Sequence, residues 1–148
     1  MKLRRVKPEE IRVPELRVRA RFDQEVWQQF QNSVKEAGIV SPVIVCQVGE
    51  DLVLVDGAHR LEEAVKLGLP TVDAVVFEGD MVDVLTKNLF LDHTRGKTPV
   101  SEMVKVIGAL STEFNLDSDQ IQEKTGLTRD YIEKLVKISL AKIGRAHV

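Results

Sequence analysis

The segment LVLVDGAHRLEEAVKLG, from Leu52 to Gly68, constrains the fold more than any other part of the sequence. Four apolar residues are followed by Asp56-Gly57, and apolar residues then recur at helical spacing up to Gly68. An apolar run that ends in an Asp-Gly turn predicts a buried strand, and the spacing after the turn predicts a helix. The segment therefore predicts a strand that turns sharply into a helix, with Asp56 capping the turn.

The first helical turn after this strand combines residue types that suit anion binding. Ala58, His59 and Arg60 follow Gly57 directly. The N–H groups at a helix start have no acceptor within the helix and attract anions, and a guanidinium adds a fork of donors. The alternative is an ordinary strand-to-helix turn with a solvent-facing His59. The residues alone leave both interpretations open.

The rest of the first hundred residues alternates strands and helices, which predicts an α+β fold. The apolar positions between Gln24 and Ala37 follow helical spacing after a capping Asp23, and they make Trp27 and Phe30 core residues. The runs VIVCQV and LVLV flank a Gly-Glu-Asp turn and predict a hairpin. The other predictions are a strand at 11–13, the strand TVDAVVF, the helix MVDVLTKNLFL capped by Asp80, and a polar loop DHTRGKTPV.

From Ser101 onward the pattern is helical only. SEMVKVIGALSTEF predicts one helix, DSDQIQEKTG a short helix ended by Gly126, and LTRDYIEKLVKISL a helix capped by Thr128. Two short helices around a glycine turn fit a helix-turn-helix that reads duplex DNA. The alternative is a plain helical hairpin. The side chains expected to face a duplex are Thr128, Arg129, Tyr131, Lys134 and Lys137.

Composition excludes several classes of protein. The single cysteine, Cys46, excludes an internal disulfide and a cysteine-built zinc site. No apolar run is long enough for a membrane helix, and the N-terminus is not a secretory signal, so a cytoplasmic protein is expected. Residues 1–21 hold eight Lys and Arg against three acids, although the net charge is -2. Such a basic arm can bind nucleic acid phosphates, or it can be a solvated strand or linker.

Four segments in order resemble the ParB/sulfiredoxin superfamily. RARFDQEVWQQFQNSVKEAGIVSPVIV resembles its first box, and VDGAHRLEEAVKLG fills the slot of the second, which reads Gly-Glu-Arg-Arg in partition proteins. NLFLDHTRGKTPVSE resembles the third box, and the helix-turn-helix follows in the same order. The resemblance implies a ParB/sulfiredoxin-like domain at 1–98 and an all-α helix-turn-helix domain at 99–148. It also implies that the chain stops before the further helices and dimerisation segment of such proteins.

The resemblance implies a DNA-binding regulator of chromosome or plasmid partition, or of transcription. Its N-terminal domain is expected to act as a switch by binding a nucleoside triphosphate, CTP or ATP, with Mg²⁺, and to hydrolyse it slowly. Expected partners are double-stranded DNA, a second copy of the chain in a homodimer and a ParA-type ATPase. No membrane association is expected, and the expected location is the nucleoid. The residues expected to bind nucleotide are Gly57, Ala58, His59, Arg60, Ser41, Asn88 and Arg95, with Asn88 also near the magnesium.

Departures from the partition-protein pattern and a second resemblance keep alternatives open. The catalytic cysteine of sulfiredoxins falls on Ala58, which rules out that thiolate chemistry. Asp-Gly-x-His-Arg also resembles the free-serine kinases of the superfamily, in which Asp56 would be the catalytic base and Glu15 its partner. A nuclease is a third alternative. For Asn88 the alternative is a helix-surface amide, and for Asp92 with His93 it is a loop pair rather than a metal site.

Overall fold

The structure, a computed structural model, describes residues 1–16, 42–94 and 98–146, with side chains up to residue 92 in the second range and residue 142 in the third. The predicted helix from Gln24 to Ala37, with Trp27 and Phe30, lies outside these ranges. So do Ser41, Arg95 and the side chain of His93.

Five strands form one mixed sheet in the order β1-β5-β3-β4-β2. They are β1 (Lys2–Val6), β2 (Ile11–Arg12), β3 (Val43–Val48), β4 (Asp51–Asp56) and β5 (Val72–Glu78). The pairs β1–β5 and β3–β4 are antiparallel, whereas β3–β5 and β2–β4 are parallel. The mixed sheet confirms the predicted α+β class, and the β3–β4 pair is the predicted hairpin.

Strand β1 is part of the basic arm and was not predicted. Of its five residues only Val6 is buried, and Arg5 forms an ion pair of 3.8 Å with Asp73 on β5. Strands are predicted from alternating apolar and polar residues. An edge strand with charged side chains on both faces lacks this alternation, so the sequence did not predict β1. The described part of the arm is thus largely a solvated strand, one of the alternatives that the sequence left open.

Helix α1 (Ala58–Lys66) covers one face of the sheet. Its buried residues Leu61 and Ala64 belong to the same apolar cluster as alternate residues of the strands. Such alternation is expected because successive side chains of a strand point to opposite faces. The strand residues of this cluster are Val6, Ile11, Val43, Val45, Leu52, Leu54, Val72, Ala74 and Val76.

The described chain after β5 is helical: α2 (Met81–Thr94), α3 (Val100–Thr112), α4 (Ser118–Thr125) and α5 (Arg129–Ala146). The predicted start of α2 is confirmed, because the N–H of Asp80 donates to Asp83 and the N–H of Asp83 donates to Asp80, each at 3.0 Å. The loop predicted to start at Asp92 is wrong for its first three residues, which are the last residues of α2. Asp92 is buried and accepts a hydrogen bond from the Thr98 hydroxyl. This contact satisfies a polar side chain that, from the sequence alone, was expected to lie in a loop.

Contacts divide the chain into two compact units whose border falls between Val84 and Leu85, inside α2. In the second unit α3, α4 and α5 pack on one another around side chains that are almost fully buried. Gly108 on α3 lies so close to α5 that a Cβ there would overlap the Ser139 hydroxyl. The core side chains of this unit are Leu89, Met103, Ile107, Leu110, Ile121, Ile132 and Leu135. The border that the sequence predicts at 98/99 stays a prediction.

No helix within the described ranges is long and apolar enough to cross a bilayer.

Candidate functional site

The corner between β4 and α1 is built on the left-handed backbone of Gly57. Its φ is 104° and its ψ 27°, and it occupies the N-cap position of α1. Gly57 holds this position because a reversal this sharp needs a positive φ, which glycine adopts at little cost. Asp56 is the last residue of β4 and directly precedes Gly57, and its capping of the turn stays a prediction.

Gly57 is also pressed against the neighbouring strand. A Cβ at this position would lie 2.9 Å from Cγ1 of Val43, the first residue of β3. The missing side chain leaves room for β3, so the corner is closely packed on its strand side.

The first turn of α1 starts directly after this corner. Leu61 is the first residue whose N–H bonds back into the helix, to the Gly57 carbonyl at 3.0 Å. The N–H groups of the three residues before it therefore lie at the positive end of the helix. No acidic side chain lies in this turn, since the residues are Ala58, His59 and Arg60. The turn can bind an anion.

Arg60 is held at the edge of the corner by a contact that the sequence did not reveal. Its Nη1 donates to the carbonyl of Pro42 at 3.3 Å, and the group is partly buried. Pro42 immediately precedes β3, whose start lies beside the end of β4 because the two strands are antiparallel. The guanidinium thus joins the first turn of α1 to the start of β3. Only strand pairing brings these two segments together.

The remaining predicted residues of the first domain lie on other segments of the chain. Glu15 is exposed in the N-terminal segment. Asn88 lies on α2 in the second unit and is 6% exposed, so the alternative that it is a surface amide is wrong. Asp92 contacts Thr98, as described above. Within the described residues no group of three or more His, Cys, Asp or Glu side chains is arranged to hold a metal ion.

A second candidate site lies at the turn between α4 and α5. Asp117 and Gln120 form a reciprocal capping box at the start of α4, and Gly126 ends the helix with a φ of 77°. Thr128 accepts a hydrogen bond from the N–H of Tyr131 at 3.3 Å and so caps α5 as predicted. The predicted end of α4 at Gly126 and the predicted start of α5 after Thr128 are confirmed, whereas α5 runs to Ala146, six residues beyond the predicted end at Leu140. Their identity as a helix-turn-helix that reads DNA stays a prediction.

Two of the cations predicted to face DNA are engaged in ion pairs. Arg129 lies 3.2 Å from Asp119 on α4 and 3.1 Å from Glu133, and Lys134 lies 3.1 Å from Asp130. The hydrogen bond that Arg129 donates to Glu133, followed by the charge of Asp119, raises the pKa of Arg129 above its ordinary value. The exposed face of α5 therefore alternates charges of both signs.

The sequence profile of the ParB N-terminal domain matches residues 1–89, more than half of the chain. The chain belongs to the ParB N-terminal domain family. This membership confirms the resemblance on which the sequence analysis depended, and the matched range contains the whole sheet and the Gly57 corner.

Relatives of the ParB family extend the match beyond this range. Stage 0 sporulation protein J of Bacillus subtilis is 27% identical over 137 residues, which are 88% of this chain and 48% of that protein. A ParB of Caulobacter crescentus complexed with CTP-gamma-S has a TM-score of 0.55 at 23% identity, covering 92% of this chain and 77% of that one. The same Caulobacter protein complexed to the centromeric parS site has a TM-score of 0.58 at 22% identity, covering 90% and 70%.

These comparisons establish the fold of the chain as ParB-like. At such identities a structural likeness shows the fold and does not transfer a ligand. The chain also spans less than half the length of the curated relatives that head the comparison. The activity and the partners of this chain are therefore proposals.

Proposed function

We propose that this chain is a ParB-like DNA-binding protein of partition or transcription regulation, whose first domain binds a nucleoside triphosphate as a switch. The observation that carries the proposal is the Gly57 corner, where a helix start free of acidic residues lies beside a guanidinium tied to β3. Membership in the ParB N-terminal domain family supports it.

The phosphates would bind at the start of α1. The N–H groups of Ala58, His59 and Arg60 lie in the first turn, before Leu61, whose N–H bonds to the Gly57 carbonyl, and they would donate to phosphate oxygens. The imidazole of His59 would contribute through Nε2, because its Nδ1 is buried in the protein. Each contact depends on the backbone geometry at Gly57, so the strand-to-helix corner prepares the site before a ligand arrives.

Arg60 would supply the charge-assisted contact. One of its five N–H donors is committed to the Pro42 carbonyl, which restrains the plane of the guanidinium. A restrained fork loses less conformational entropy when it binds two phosphate oxygens, and it favours an oxyanion over a neutral group.

Magnesium would arrive with the nucleotide. Mg²⁺ that accompanies a triphosphate takes most of its ligands from phosphate oxygens and water and neutralises part of the phosphate charge. The described residues, which lack a three-carboxylate or histidine cluster, fit this mode better than a metal cage built by the protein. Asn88 remains a predicted contributor from the sequence alone.

Duplex DNA would bind at the turn between α4 and α5. Lys137, Lys134 and Arg129 are exposed on α5, and Thr128 starts the helix that would enter the groove. Phosphate contacts would position this helix, while Tyr131 and Thr128 can reach base edges near its start. The acidic residues between the cations limit the strength of phosphate-driven binding. A homodimer and a ParA-type ATPase remain proposed partners on the strength of the family alone.

The proposal is tested by calorimetric titration of CTP, ATP, ADP and GTP with Mg²⁺ into the chain, with and without duplex DNA. We expect one triphosphate to bind clearly tighter than the others. Absence of binding by all four nucleotides up to millimolar concentration, in both conditions, would refute the switch.

Arg60→Ala tests the assigned contact. It should weaken binding of the preferred nucleotide by roughly 2–4 kcal/mol, because a charge-assisted bidentate contact is lost. Arg5→Ala removes the same charge from an exposed position on β1 and should leave the affinity within twofold of the parent. Equal affinity in a folded Arg60→Ala chain would show that the phosphates bind elsewhere.

A further inference from the structure

Arg129 joins the two helices of the second candidate site. Its Nη1 lies 3.2 Å from Oδ1 of Asp119 on α4, and its Nε donates to Oε1 of Glu133 at 3.1 Å on α5 itself. The guanidinium is therefore held by two carboxylates, one from each side of the Gly126 turn. Two edges of the donor fork that would bind a phosphate are occupied by oxygens of the protein.

The position of Arg129 explains why it has acidic partners. It is the first residue of α5, where the helix dipole is positive and a cation is unfavourable. Carboxylates of Asp119 and Glu133 offset this repulsion. Each carboxylate gives the guanidinium an anionic oxygen acceptor of the kind that a phosphate would give it.

The arrangement is exchangeable because all three side chains are open to water. Arg129 is 59% exposed, Asp119 69% and Glu133 48%. Ion pairs at such exposure are weakened by solvent and salt, so a well-placed phosphate can displace a carboxylate. A loosely approaching phosphate competes poorly, since the carboxylate is tethered at contact distance.

We propose that Asp119 is a positioning residue of the DNA-binding surface. Its carboxylate competes with DNA phosphates for the guanidinium of Arg129 and so reduces the binding of Arg129 to duplexes of random sequence. The inference rests on the proposed DNA binding by α4 and α5. It makes the contact between Arg129 and DNA conditional on a phosphate or base edge that is placed well enough to replace Asp119.

Asp119→Asn tests this inference, with Glu123→Gln as the matched control. Glu123 is one turn further along α4, on the same side of the helix, and its replacement removes the same charge. Binding of a random-sequence duplex is measured by fluorescence anisotropy from about 50 to 200 mM salt, where phosphate contacts dominate the affinity. Circular dichroism verifies that each variant retains the helix content of the parent.

We expect Asp119→Asn to bind the duplex about fivefold tighter than the parent. We also expect the slope of log affinity against log salt to become steeper by the amount that corresponds to about one more phosphate contact. Glu123→Gln should change the affinity less than twofold and leave the slope unaltered. In an Arg129→Gln background the two acid replacements should have equal effects, because no guanidinium remains to be released.

Equal effects of Asp119→Asn and Glu123→Gln in the chain that retains Arg129 would overturn the inference and leave DNA binding standing. If neither the parent nor Asp119→Asn binds duplex DNA at the lowest salt, the proposed DNA binding itself is wrong, and the inference falls with it.

Discussion

At the scale of single residues, Gly57 sets the geometry of the candidate nucleotide site through both its conformation and its size. The positive φ excludes most side chains, and the 2.9 Å approach to Val43 leaves no room for a methyl group. Gly49 also has a positive φ, of 61°, but a Cβ there would meet nothing within 4 Å. The two glycines therefore separate the cost of strain from the cost of overpacking.

Gly57→Ala should destabilise the chain more than Gly49→Ala. We expect about 1 kcal/mol for Gly49→Ala, from left-handed strain alone, and roughly 2–4 kcal/mol for Gly57→Ala, where the contact with Val43 adds to it. Urea denaturation measures both. Val43→Ala in the Gly57→Ala background should recover part of the difference, and equal costs at the two glycines would contradict the role of packing.

Asp56 distinguishes the nucleotide switch from the free-serine kinase. It ends β4, while Gly57 takes the capping position. In a switch, Asp56→Asn should leave the nucleotide affinity within about twofold, since no phosphate contact is removed. In a kinase it would lower turnover at least about a hundredfold, the usual scale for loss of a general base.

The measurement is phosphoserine formation from free serine with ATP or ADP as donor. We expect no product from the parent chain above the rate without protein. Robust product that disappears in Asp56→Asn would make the chain a kinase and would overturn the switch.

At the scale of elements, two helix starts depend on capping side chains, of which the sequence analysis predicted Asp80. The α2 start has reciprocal hydrogen bonds between Asp80 and Asp83, and the α4 start has the same arrangement between Asp117 and Gln120. Each pair satisfies two backbone donors that the helix itself leaves free. These caps are local, so the chemistry of four consecutive residues suffices to predict them.

Asp80→Ala should cost about 1 kcal/mol of stability, because the N–H of Asp83 loses its acceptor. Asp80→Asn keeps an acceptor oxygen and should recover most of that loss. Thermal denaturation of the three chains measures the effect. A melting temperature of Asp80→Ala equal to that of the parent would show that α2 is held by packing alone.

At the scale of the whole molecule, nucleotide and DNA are expected to influence each other. The proposed sites lie in different compact units of the chain. A switch requires a coupling free energy between them, and linkage makes the coupling reciprocal for binding. If the preferred nucleotide changes DNA affinity by some factor, DNA must change nucleotide affinity by the same factor.

The coupling is measured by titrating DNA at saturating and zero nucleotide, and nucleotide at saturating and zero DNA. We expect a factor of about 5–150 in both directions, typical of allosteric pairs. Arg60→Ala should remove the effect of nucleotide while leaving DNA binding without nucleotide unchanged. A factor of one in the parent, with both ligands bound, would show two independent sites and no switch.

The sequence by itself determined the features that depend on neighbouring residues. The β3–β4 hairpin, the corner at Gly57, the cap at Asp80 and the α4–α5 turn at Gly126 each follow from turn, cap and periodicity signals within a few residues. The family resemblance extended these local features to a fold, because four boxes in one order are far more specific than any one of them.

The tertiary structure alone decided the features that depend on distant partners. Strand β1 forms because its backbone pairs with β5 in an antiparallel ladder, although its charged residues show no strand pattern. Arg60 bonds to Pro42 only because β3 and β4 pair, and Arg129 contacts Asp119 only because α4 and α5 pack across their turn. Hydrogen bonds and ion pairs join atoms that are close in space. The order of residues along the chain specifies such proximity only through the complete fold.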